Sequence, residues 1–262
     1  MVITMSYRPL LIVANSKKNH GRCVAGIDLA TLQPNLSKNT RSPLQRPFIR
    51  PVSNDNSRAL DPSQIAPVGM DHLPLFQIVE VPLQRPFPEG YQTENWLVEP
   101  NLPWKLVENQ NIVPQVIEDA TSSLHSLWTL PDADEENHPN YQSSRGQRDR
   151  IPESEAETLS SSLALISLDN LRIDRWSPSV EGEEPQFRGN FQHNGRYFNL
   201  RITDLQIESL WSQLPKPFSK RPFHNNPNVE PKHTGPVTLT VSLGLPYRGH
   251  IYRLIANVHP NN

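Results

Sequence analysis

Arginines and a tyrosine grouped on one strand-like surface are the residues with the plainest chemistry here. A guanidinium holds phosphate oxygens, and a phenol ring stacks a base. Residues 186–203 read QFRGNFQHNGRYFNLRIT. Asn194-Gly195 is the strongest short-range hairpin signal, because a type I′ turn needs φ > 0 at both central residues. A two-residue loop fixes the register: His193 faces Arg196, Gln192 faces Tyr197, Phe191 faces Phe198, Asn190 faces Asn199, Gly189 faces Leu200, Arg188 faces Arg201 and Phe187 faces Ile202. Period two then puts Phe187, Phe191, Phe198, Leu200 and Ile202 on one face, and Arg188, Asn190, Gln192, Tyr197, Asn199, Arg201 and Thr203 on the other. The first is a core. The second is expected to be wet, either binding a phosphate backbone or simply letting its arginines splay into water. Arg188 opposite Arg201 is a like-charge pair that costs up to about 1 kcal/mol unless something lies between them.

Two other windows carry cations. Residues 145–150 (RGQRDR) place three arginines between acidic runs, which reads as a local anion clamp or as a self-neutralising solvated linker. Lys17, Lys18, His20 and Arg22 cluster at a polar turn, and Lys38, Arg41, Arg46, Arg50 and Arg58 meet one acid, Asp55. Signals for catalysis are weak. Asp28 and Glu80 fall on strand-like segments without a neighbouring lysine, and Cys23 with His20 is a poor nucleophile–base pair in a loop. No P-loop, GxGxxG, HExxH or GxSxG motif occurs. A non-enzyme without metal or cofactor is expected.

The 262 residues suffice for one large or two ordinary domains. Hydrophobic content is 35%, and 27 prolines outnumber 11 glycines, which favours short strands and stiff connections over helices. The formal net charge of −2 rules out a polybasic coat protein, so a nucleic-acid site must be a local patch. The single Cys23 excludes an intramolecular disulfide and a cysteine-rich zinc site. No run approaches the roughly 20 apolar residues that span a bilayer, and a cytoplasmic protein without a membrane partner is expected.

Along the chain, residues 10–14, 22–29, 48–53 and 75–83 read as strands. Residues 93–96 are expected to open a short helix, with Trp96 and Trp104 plugging the core. Residues 117–130 are the best helix candidate, with Leu124, Leu127 and Trp128 at helical spacing. The charged stretch 131–158 reads as a linker, separating a barrel with a C-terminal helix at 1–130 from a second barrel at 159–262. The second half has strands at 163–173, 237–243 and 251–258 beside the hairpin, a short helix at 205–211, and a proline-rich excursion at 214–236. That pattern suits a small closed antiparallel barrel.

The segments NSKKNHGRCVAGIDL, FIRPVS, LFQIVEVPL, YQTENW, RGQRDRIP, FRGNFQHNGRYFNLRITD and VTLTVSLGLPYRGHIYRLIANV together resemble the bacterial dual OB-containing domain family. The resemblance implies a mainly β fold of two small antiparallel OB-like barrels in tandem, with a few short helices and proline-rich loops. It also implies a non-catalytic binding module, acting on single-stranded DNA or RNA as an accessory of a bacterial defence or mobile-element system, or as a protein–protein adaptor there. Polar positions within the shared motifs are the candidate nucleic-acid contacts: Lys17, Arg22, Arg50, Asn95, Arg148, Arg150, Arg188, Tyr197 and Arg201.

Overall fold

The structure, a computed structural model, describes residues 6–18, 21–30, 48–121, 125–129, 139–144, 146–176, 186–212 and 232–261. The chain divides into one unit made of Met1–Ser123 with Ser160–Leu163, and another made of Leu124–Leu159 with Ala164–Asn262.

The first unit contains β1 (Ser6–Lys18), β2 (Gly21–Asp28), β3 (Phe48–Val52), α1 (Pro62–Ile65), β4 (Ile78–Pro86), β5 (Asn95–Val98), β6 (Lys105–Leu106) and α2 (Val113–Thr121). Its strands order as β1-β2-β3-β5-β4, and β4 returns to pair with β1. β3 and β5 run parallel; the other pairs are antiparallel. The result is a closed five-stranded barrel of OB type, as the resemblance implies. β1 serves two neighbours because a bulge between Ile12 and Ala14 bends it. Leu10, Ile12, Val24, Ile49, Val79, Val81, Leu83 and Trp104 fill the interior. Asp61 starts α1 by accepting Ser63 N–H at 2.8 Å, with Pro62 at the first helical position.

The second unit contains β7 (Arg150–Pro152), α3 (Glu153–Ala156), β8 (Leu163–Leu168), β9 (Arg172–Trp176), β10 (Gln186–His193), β11 (Arg196–Ile202), α4 (Leu205–Ser212), β12 (Lys232–His233), β13 (Val237–Tyr247) and β14 (His250–Pro260). The order β9-β10-β11-β14-β13-β8, with β11 parallel to β14, repeats the topology of the first unit. Here the first strand is split into β8 and β9 by the turn at Asp169-Asn170. Gly189 leaves room for the core: a Cβ there would sit 2.5 Å from Ile255 Cδ1 and 3.0 Å from Leu171 Cδ1, so those side-chain ends would have to shift. The buried carboxylate of Asp204 caps α4 through Gln206 N–H at 2.7 Å and also accepts Val258 N–H at 2.8 Å. The helix is thereby tied to β14.

Three expectations are corrected. Residues 95–98 form strand β5 rather than the start of a helix, because Asn95, Trp96 and Leu97 pair with β3. The helix expected at 117–130 begins at Val113 and ends at Thr121, and Leu127 and Trp128 adopt left-handed φ of 53° and 59°. Those two apolar residues are buried in a turn, so their helical spacing was incidental. Nor is 131–158 a linker throughout. Residues 146–152 form a strap along the second barrel, with β7 pairing antiparallel to β14. The excursion at 214–236 lies largely outside the described residues.

His125 opens that buried turn and limits acid stability. Its Nδ1 accepts Leu127 N–H at 2.9 Å, and its ring meets Trp128 edge-on at 5.1 Å. Burial, reinforced by the neighbouring His193 charge, lowers its pKa from 6.5 to about 4. Between those values the unfolded chain takes up a proton that the folded form refuses. The stability from this group is therefore complete above pH 6.5 and is lost as pH falls toward 4, roughly 3 kcal/mol across the window. Urea unfolding measured at several pH values should show this acid slope, and His125→Gln should flatten it.

Candidate functional site

β10 and β11 pair in the register that Asn194-Gly195 dictates, from His193 opposite Arg196 to Phe187 opposite Ile202. Their apolar face is core, with Phe191 and Phe198 stacked at 5.2 Å. The polar face is only partly wet, and Arg188 is 3% exposed. Its Nη2 donates to Asp149 Oδ2 at 3.2 Å and to the Asn199 carbonyl at 2.7 Å, its Nε to Asn199 Oδ1. Asp149 comes from the strap and also accepts both Ser143 N–H at 2.8 Å and Ser143 Oγ–H at 2.6 Å. A buried carboxylate thus engages one member of the Arg188/Arg201 pair, and this offsets their repulsion.

The strap fills the gap where β11 and β14 diverge. Asn199 N–H donates to Gln147 O at 2.9 Å on one side, and Arg253 N–H to Asp149 O at 2.8 Å on the other. Arg253, fully buried on β14, fastens it. Its guanidinium donates to four backbone carbonyls, Leu127 and Trp128 at 2.8 Å and Arg148 and Arg150 at 2.9 Å. Sequence reasoning missed Arg253, although it shares the inward parity of Ile251 and Ile255, where a charge demands partners.

Four candidate contacts are therefore structural. Arg50 is 1% exposed and its Nη2 reaches Ser162 Oγ at 2.8 Å and Glu94 Oε1 at 3.2 Å. Asn95, in register with Arg50, is fully buried and donates to Gln92 Oε1 at 3.4 Å. Arg148 is buried with Nη1 on the Tyr197 carbonyl at 2.9 Å, and Arg188 is fixed as above. These side chains hold the barrels and do not offer a surface. Arg150 is half-buried and donates to the Pro139 carbonyl. Lys17 is exposed and faces the half-buried Arg22 in the first unit. Tyr197, at 57% exposure, and the exposed Arg201 remain accessible.

Other exposed aromatic and cationic side chains of the second barrel lie at the β13–β14 turn, across the strap from Tyr197. Because β11 and β14 run parallel, the Asn194-Gly195 and Arg248-Gly249 tips lie at the same end. Arg201 is in register with Leu254, Tyr252 precedes it on the same face, and Tyr247 sits opposite His250. Tyr247 and Tyr252 are 6.4 Å apart, and the Arg248 guanidinium lies 5.1 Å from the Tyr247 ring. Tyr247 is 56% exposed. Tyr197 and Arg201 on β11 and Tyr247 and Arg248 at the β13–β14 turn are thus exposed, with Tyr252 half-buried on β14. Arg248 escaped the sequence reading, although a tyrosine and arginine at a tight turn were its signal.

Among the described residues, no group of three or more His, Cys, Asp or Glu could hold a metal ion, and no helix is long and apolar enough to cross a membrane. No curated protein and no solved structure matches this chain. The dual OB-containing domain model matches residues 8–258.

Proposed function

The chain belongs to the dual OB-containing domain family, and from that premise we propose a non-catalytic module that binds single-stranded nucleic acid on the second barrel. Barrels of this type take oligonucleotides on the face of their second and third strands and on the loop joining the fourth and fifth. In the second unit these are β10–β11 and the β13–β14 turn. The observation that carries the reading is the exposure of Tyr197 and Tyr247 beside Arg201 and Arg248 at that location. Aromatic faces stack any base, and the arginines supply phosphate contacts without sequence preference.

Fluorescence anisotropy with labelled single-stranded DNA and RNA across a salt series tests it. Tyr197→Ala and Tyr247→Ala should each weaken binding by roughly 1–3 kcal/mol, or about 5- to 150-fold. Arg201→Ala should lower the log–log salt slope by about 0.7. Absence of binding at low salt would overturn the proposal in favour of a protein adaptor.

A further inference from the structure

The fourth strand of each barrel ends on the same short pattern. Val81, Leu83, Pro86 and Phe87 in the first recur at identical spacing as Val241, Leu243, Pro246 and Tyr247 in the second. The backbone repeats with them. Leu83 pairs with Val98 but Arg85 with Leu97, and Leu243 pairs with Arg253 but Pro246 with Ile251. Each fourth strand thus takes up one extra residue just beyond its buried leucine. Such a bulge re-aims the residues that follow. In the first barrel Leu83 and its partner Val98 pack in the core, whereas Arg85 is exposed.

Beyond the bulge each barrel sets an arginine on an aromatic ring. The Arg85 guanidinium lies 5.1 Å from the Phe87 ring, as that of Arg248 does from Tyr247. The first-barrel pair stands on a fixed loop. Phe87 N–H donates to Asn95 O at 2.8 Å, and Glu89 and Gln92 exchange backbone bonds of 3.2 and 3.0 Å. Arg58 forks onto Glu89 at 2.7–3.1 Å, and its guanidinium lies 4.6 Å from the Phe87 ring. Arg85 itself is uncommitted. Arg8, Arg50 and Arg58 of the same unit each engage a carboxylate, but among the described residues no carboxylate meets Arg85. Its Nη1 reaches only the Pro86 carbonyl, at 3.5 Å. Pro86, Pro88 and Gly90 beside it are exposed as well.

We propose that Arg85 and Phe87 form a second contact site for single-stranded nucleic acid, on the first barrel, equivalent to Tyr247 and Arg248 on the second. The inference rests on the single-strand reading and extends it to residues that the second-barrel surface does not contain. A guanidinium plane supported by a ring stacks a base, while its N–H groups hold phosphodiester oxygens. The fixed loop orders the pair in advance, so little freedom is lost on binding. Glu89, two residues from Phe87, is already neutralised by Arg58 and adds little repulsion toward phosphate.

The anisotropy salt series on the full chain tests both barrels. Arg85→Ala should weaken single-strand binding about fivefold or more and lower the log–log slope by about 0.7. Arg85→Lys should keep the slope and lose part of the affinity, since an ammonium has no plane to stack. Losses in Arg85→Ala, Tyr197→Ala and Tyr247→Ala alike support both sites. Unchanged affinity and slope in Arg85→Ala, with losses in the two tyrosine variants, overturn the first-barrel site and leave the second-barrel reading standing. Weaker binding with an unmoved slope would report damage to the barrel and also overturn the site. A loss confined to Arg85→Ala supports it and overturns the second-barrel reading. Absence of binding to DNA and RNA at low salt overturns both.

Discussion

Arg253→Met should destabilise the second unit by about 3–5 kcal/mol, the largest loss expected of a single substitution outside the apolar core. Methionine replaces most of the arginine stem, so little cavity forms. What disappears is the donor fan that satisfies the carbonyls of Leu127, Trp128, Arg148 and Arg150. Buried acceptors left without donors each forfeit about 1–3 kcal/mol. Arg253→Lys keeps the charge but cannot span four acceptors, and should fall between. Two units in one chain make a single global unfolding transition a poor readout. Amide hydrogen exchange across 146–152 is the better measurement: faster exchange there in Arg253→Met is expected, and wild-type protection would refute the clamp.

Arg188→Ala should cost a similar amount, about 3–5 kcal/mol, because it strands the buried Asp149 carboxylate. A double-mutant cycle with Asp149→Ala separates the pair from its surroundings. The double variant should be less damaged than the sum of the singles, since it leaves no unpaired charge. Additive losses in urea unfolding would show that the pair does not interact. The result also governs binding experiments. Lost oligonucleotide affinity in Arg188→Ala would report a disrupted barrel, whereas Arg201→Ala removes an exposed guanidinium and tests the surface itself.

Local rules were readable from the chain wherever neighbours in space are neighbours in sequence. Asn194-Gly195 fixed every pair of the β10–β11 hairpin, and period two separated its apolar residues correctly. The same periodicity misjudged Arg188, because its partner Asp149 lies 39 residues away and nothing in a strand pattern reports a distant strap. RGQRDR read as an anion clamp or as solvated charge for the same reason. Its Asp149 is buried and its Arg148 is turned onto the Tyr197 carbonyl. Arg50 and Asn95 were chosen as polar residues in shared motifs, yet polarity alone does not distinguish a ligand contact from a buried tie to Glu94, Ser162 or Gln92. Tyr197 and Arg201 stayed accessible because the strap engages the backbone beside them.

The strap has a kinetic meaning. The bonds from the Arg253 guanidinium to its Arg148 and Arg150 carbonyls join residues 105 and 103 positions apart, among the most distant contacts in the second unit. Chain entropy makes such contacts late arrivals, formed after the hairpins have paired and the barrel's transition state has passed. Interactions absent from the transition state slow escape from the native state without hastening its formation. The strap is thus a latch on persistence: it determines how long the second barrel survives once closed, while local turns such as Asn194-Gly195 determine how readily it closes.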